Sequence, residues 1–127
     1  MILIENKPMT KILFVDDDAV ALNSIFRRLS GIGYDVVIAC DGIEGLSKFL
    51  ESHFDIVITD IVMPKMDGIT LVEKIREDSN QKYVPAIAIA TYPCLPEYSP
   101  FDAFFRKPLA VEKLLDAIEK ATKNGRR

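Results

Sequence analysis

Six residues of this 127-residue chain stand where chemistry could be done: Asp16, Asp17, Asp18, Asp60, Thr91 and Lys107. They follow short apolar, strand-like runs: Lys11-Ile12-Leu13-Phe14-Val15, Asp55-Ile56-Val57-Ile58-Thr59, Ala86-Ile87-Ala88-Ile89-Ala90 and Phe101 to Arg106. Each is commonplace alone, since aspartates after a strand are usually a solvated turn with a helix cap. If the strands bring their carboxyl ends together, Asp16, Asp17 and Asp60 meet Thr91 and Lys107 at one sheet rim, where open α/β sheets place ligands. Carboxylates held within a few ångströms repel, which raises at least one pKa unless a cation sits among them. A hard divalent ion suits such oxygens, and Mg²⁺ typically takes one or two carboxylates plus a phosphate. An acidic site facing a lysine can neutralise an incoming phosphoryl group, and a carboxylate can itself become an aspartyl phosphate.

The elements that must position these groups alternate strictly. After the first strand, Leu22, Ile25, Phe26 and Leu29 make one apolar helical stripe, with Asp18 as its cap and Ser30-Gly31-Ile32-Gly33 as its end. Tyr34 to Cys40 reads as a strand, Ile43, Leu46, Phe49 and Leu50 as a second helix, and Ile69, Val72 and Ile75 as a third beginning near Gly68. The β-branched run before Asp60 reads as a strand buried on both faces. Val111, Leu114, Leu115 and Ile118 give the last helical stripe, running to about Lys123. Tyr92 to Phe101, with Pro93, Pro96 and Pro100, is not expected to form a helix. Strands alternating with single helices imply a doubly wound α/β domain with a parallel sheet and right-handed crossovers. The expected division is an extension at 1–10, a domain at 11–124 and a tail at 125–127.

Composition narrows the function classes. Hydrophobic residues make up 49% and charged residues 28%, which suits one globular domain. A net charge of −3 gives no electrostatic reason to expect nucleic-acid binding, and the terminal Lys120, Lys123, Arg126 and Arg127 read as a solvated helix end. Cys40 and Cys94 form no metal-type or redox-type pair, and a single histidine, His53, excludes a His-based metal site. No apolar run is long enough to span a bilayer and no signal-peptide pattern is present, so the expected compartment is the cytoplasm.

Four motifs together carry a resemblance: Ile12-Leu13-Phe14-Val15-Asp16-Asp17-Asp18, Ile58 to Gly68 (ITDIVMPKMDG), Ala88-Ile89-Ala90-Thr91 and Phe104-Phe105-Arg106-Lys107-Pro108. The chain resembles the CheY-like receiver domain of two-component response regulators, from about Lys11 to Lys123. The resemblance implies a flavodoxin-like, five-stranded parallel sheet of order 2-1-3-4-5. It implies that Asp60 accepts a phosphoryl group from a histidine kinase or phosphotransfer protein. Asp16, Asp17, Asp60 and the Val62 backbone carbonyl would then bind Mg²⁺, with Asp16 often acting through water. Thr91 and Lys107 would contact the phosphoryl oxygens, Phe104 would be the switch aromatic, and Lys107-Pro108 would be cis. The domain would catalyse only its own phosphorylation and dephosphorylation.

Two departures from the family stand out. The helix normally found between the Thr strand and the Lys strand is lost or reduced to a loop between Tyr92 and Phe101, which alters the face that signals output and forms homodimers. The residue after Thr91, usually small, is Tyr92, whose ring would narrow access to an acyl phosphate. The reading is therefore weighed against an adaptor that keeps the acidic pocket without using phosphorylation. A Mg²⁺-dependent phosphatase or a flavin carrier of the same topology is the third reading. The first of these lacks a true Asp-x-Asp nucleophile–acid pair, and the second lacks a hydroxyl- and glycine-rich phosphate loop.

Overall fold

A computed structural model describes residues 9–91 and 99–125, with side chains described as far as Thr122. The order of elements is β1 (Lys11–Val15), α1 (Ala19–Ile32), β2 (Asp35–Ala39), α2 (Gly42–Glu51), β3 (Ile56–Asp60), α3 (Gly68–Asp78), β4 (Ala86–Ala90), β5 (Ala103–Arg106) and α4 (Val111–Gly125). All five strands are parallel, in the order β2-β1-β3-β4-β5. This is the doubly wound architecture expected from the alternation.

Period-two side-chain alternation sorts the core onto two faces. Ile12, Phe14, Ile56, Ile58, Ile87 and Ile89 turn toward α1 and α4, where Leu22, Ile25, Leu29, Leu114 and Ile118 meet them. Leu13, Val15 and Val57 turn the other way, against Phe49 of α2 and Leu71 and Ile75 of α3. A smaller cluster joins Ile61, Ala88 and Ala90, with Ile69, Phe101 and Phe104 packed against it.

The starts of α1, α2 and α3 are set by carboxylates, as the local sequence demands. Asp18 Oδ1 accepts from the Val20 and Ala21 amides, Asp41 Oδ1 from Glu44 and Asp67 Oδ1 from Thr70. Glu44 reaches back past the cap and accepts from the Cys40 amide at 2.7 Å.

Three residues expected in apolar stripes are instead exposed: Phe26 at 39%, Ile43 at 53% and Leu50 at 52%. In α2 the buried line runs through Gly42, Gly45 and Phe49. A Cβ at Gly45 would lie 3.1 Å from Val15 Cγ2, so the helix approaches the sheet along its glycines and turns Ile43 and Leu50 to its flanks. β5 is shorter than expected, because Phe101 and Asp102 precede the strand rather than belong to it. Most of the loop expected from Tyr92 to Phe101, including Tyr92, lies outside the described residues, as do Met1 to Pro8 and Cys94. Among the described residues no helix stands between β4 and β5.

Candidate functional site

The sheet order makes the site. β1, β3, β4 and β5 lie side by side, and the carboxyl ends of the last three are tied across by backbone bonds: Ile61 N to Ile89 O at 3.1 Å and Lys107 N to Ala90 O at 2.8 Å. Asp16, at the end of β1, and Asp60, at the end of β3, are 1% and 7% exposed. Asp17, the next residue, is exposed. One carboxylate oxygen from each of the three lies within 4.8 Å of the others.

Lys107 closes the group from the far side. Its Nζ donates to Asp16 Oδ2 at 3.0 Å and to Asp60 Oδ2 at 2.9 Å. The remaining oxygens are also held, since Asp16 Oδ1 accepts from the Asp18 amide and Asp60 Oδ1 from the Ile61 amide. Three carboxylates against one ammonium leave a formal −2 in a mostly buried rim.

Burial pushes the Asp60 carboxyl up, and the negative Asp16 adds to this. The Lys107 ammonium and the Ile61 amide pull it down without cancelling the rise. Burial pulls Lys107 down, but its bonds to Asp60 and Asp16 and their charge outweigh that and hold it above its ordinary value. The cluster is electrostatically under-compensated, and its hard oxygen donors fit a divalent cation such as Mg²⁺.

Thr91 is exposed at the first position after β4. Val62 sits two residues beyond Asp60 and is 70% exposed. Phe104 is half-buried on β5 opposite Ala88, in the small cluster with Ile61 and Ala90. The Lys107-Pro108 peptide is cis, as expected. His53 is an exposed surface residue, 3.7 Å from Asp55.

The loop after Asp60 is fixed by contacts that the sequence reading did not single out. A Cβ on Gly68 would overlap the Asp60 carbonyl, and the Gly68 amide donates to Ile61 O at 2.8 Å. Only glycine lets α3 begin against the end of β3. A Cβ on Gly42 would overlap the Met66 carbonyl, so the same loop abuts the start of α2. Lys65 holds φ at +70° and places its Nζ 3.6 Å from Asp41 Oδ2. The Asp67-Gly68 pair was a visible turn signal, whereas nothing about a lysine announces a left-handed backbone.

In sequence and in overall fold the chain is similar to known proteins. The chain is 30% identical over 115 residues to the DNA-binding dual master transcriptional regulator RpaA of Synechocystis sp., covering 87% of this chain and 48% of that regulator. It spans less than half the length of this and the other transcriptional regulators it matches. A response regulator receiver domain protein (CheY-like) from Methanospirillum hungatei superposes with a TM-score of 0.83 at 29% identity, over 94% of this chain and 98% of that one. Response regulator protein TrrA from Thermotoga maritima, in complex with Mg(2+)-BeF, superposes with a TM-score of 0.80 at 28% identity, over 89% and 99%. The family model of the response regulator receiver domain matches residues 12–119, from the second residue of β1 into α4. Sequence, sheet order and the acidic rim thus converge, and the chain belongs to the response regulator receiver domain family.

Proposed function

We propose that residues 11–124 are a phosphoacceptor unit that takes a phosphoryl group onto Asp60 from the phosphohistidine of a histidine kinase or phosphotransfer protein. The observation that carries this is the Lys107 ammonium bridging Asp60 and the buried Asp16, with Asp17 in reach of both carboxylates. In the transfer, an Asp60 carboxylate oxygen forms a bond to phosphorus while the P–N bond breaks and the histidine nitrogen keeps the electron pair. Lys107 faces the charge on the transferring oxygens. Thr91, at the end of the neighbouring strand, would donate its hydroxyl to a phosphoryl oxygen. Asp16, Asp17, Asp60 and the Val62 carbonyl would hold Mg²⁺, which when bound supplies charge neutralisation at the phosphoryl oxygens.

Receiver domains are typically signalling modules rather than enzymes acting on other substrates, and they interact with kinases and output partners. Here the only catalysis would be gain and loss of the phosphoryl group on Asp60. Phe104 would report the change to an output partner, in the cytoplasm; no helix among the described residues is long and apolar enough to cross a membrane. The test is incubation with acetyl phosphate and Mg²⁺, followed by intact-mass measurement. A single phosphate on the parent and none on Asp60→Asn is expected, and equal labelling of both would overturn the reading.

One observation favours a second reading, an adaptor that does not need phosphorylation: only 12 residues, 91 to 102, connect β4 to β5, which is short for a helix with its two loops. That reading predicts that partner binding is unchanged in Asp60→Asn.

A further inference from the structure

β5 carries two of the residues that matter most, Phe104 within it and Lys107 directly after it, yet it is weakly specified. It is an edge strand with one neighbour, and only four residue pairs set its register on β4. A slip of one residue would move Lys107 by about 3.3 Å and turn every β5 side chain to the opposite face. The 2.9 and 3.0 Å bonds to Asp60 and Asp16 would not survive that.

A set of polar contacts lies at the opposite end of the strand. Arg76, in the last turn of α3, has a side chain only 23% exposed. Its Nη1 donates to Lys82 O at 2.6 Å and to Val84 O at 3.1 Å, on the segment leading into β4. Its Nε and Nη2 donate to Pro100 O at 3.3 and 2.8 Å, on the segment leading into β5. Nη2 also lies 3.7 Å from Asp102 Oδ2, which accepts from the Ala86 amide at 2.9 Å. The Asp102 amide in turn donates to Ala86 O at 2.8 Å. One planar guanidinium thus ties the starts of two neighbouring strands to one helix end, a task its rigid fork of donors suits and an ammonium does not.

We propose that Arg76 is a positioning residue. By clamping the amino ends of β4 and β5 together it fixes the register of β5, and so the height at which Lys107 meets Asp60 and Asp16. The functional half of this inference rests on Asp60 being the phosphoacceptor; the structural half does not.

The experiment compares the parent with Arg76→Ala and Arg76→Lys by amide hydrogen exchange, Mg²⁺ titration and acetyl phosphate labelling. A clamp predicts exchange at Ala103 to Arg106 accelerated on the order of tenfold or more in Arg76→Ala, with β1 and β3 amides unchanged. Labelling of Asp60 should slow by roughly tenfold or more, since small misplacements of a reacting pair are costly. Mg²⁺ affinity should hold or rise, because the carboxylates sit on β1 and β3 and lose a competing ammonium. Arg76→Lys should fall between. A purely stabilising Arg76 would instead loosen all strands together and weaken Mg²⁺ binding along with labelling; that result, or unchanged β5 exchange, overturns the proposal. Absence of labelling in the parent would sink the phosphoacceptor reading, while the exchange data would still decide the clamp.

Discussion

β3 and β5 end at the same cleft but are held there by different physics. All five β3 residues are buried, between β1 on one side and β4 on the other. None of the four β5 residues is buried, and a single strand flanks it. Asp60 is therefore placed by the hydrophobic core, and its position should persist as long as the domain is folded. Lys107 follows an edge strand whose side chains are only partly buried, and whose start is tied to β4 by the polar contacts of Arg76 and Asp102. A site divided this way has one wall set in the core and one wall at the sheet edge.

The sharpest way to break the contrast is in the core. Ile58→Ala removes a fully buried side chain from the centre of β3 and should cost about 3 to 4 kcal/mol. Urea denaturation should show the midpoint falling together for every probe; a loss below about 1 kcal/mol would mean that β3 is not the organising strand. Next in size, Lys107→Met leaves Asp16 and Asp60 without their shared cation. Breaking such a pair costs about 3 to 5 kcal/mol when buried, and with the ammonium side chain 27% exposed about 2 kcal/mol is expected. Millimolar Mg²⁺ should recover part of that deficit. If it recovers none, the acidic rim is not a cation site. Smaller again, Phe105→Ala trims a half-buried β5 side chain from the α1–α4 face and should cost about 1 to 2 kcal/mol. Its denaturation midpoint should move far less than that of Ile58→Ala.

The same contrast explains what could be read from the sequence. The β3 run is apolar on both faces and bounded by Asp60, so strand, burial and terminal carboxylate were all visible in one stretch. The carboxylates and Lys107 could be gathered because each ends a strand, and a parallel sheet puts those ends on one side. What escaped was whatever depends on the third dimension. Arg76 looks like an ordinary cationic helix end, since its partners are backbone carbonyls, which every residue offers. Ile43 and Leu50 fit a helical period, but the glycine line of α2 rotated them outward, and periodicity cannot weigh a helix's closest approach. Phe101 continues the apolar run of β5, yet Asp102 takes the Ala86 amide on its side chain and the strand begins one residue later.

The other edge strand, β2, tests whether an edge always needs such a clamp, and here the expected effect is smallest. β2 ends not in a reactive group but in the cap of α2. The Glu44 amide, which Asp41 accepts, is the main force holding its carboxyl below the ordinary range; burial opposes this and Lys65 helps. Glu44 is lowered chiefly by the Cys40 amide and thiol, with Lys48 adding to them. A carboxylate whose folded pKa is depressed adds stability above its unfolded pKa and loses it as pH falls through the folded value. Asp41→Ala should therefore cost about 1 kcal/mol at pH 7, the usual worth of a helix cap. The gap to the parent should shrink below about pH 4, where the parent's own carboxylates take up protons. Urea midpoints measured at pH 7 and pH 3 check this. A gap of equal size at both values would show that Asp41 acts through shape or its neutral hydrogen bond, and that β2 is held without help from charge.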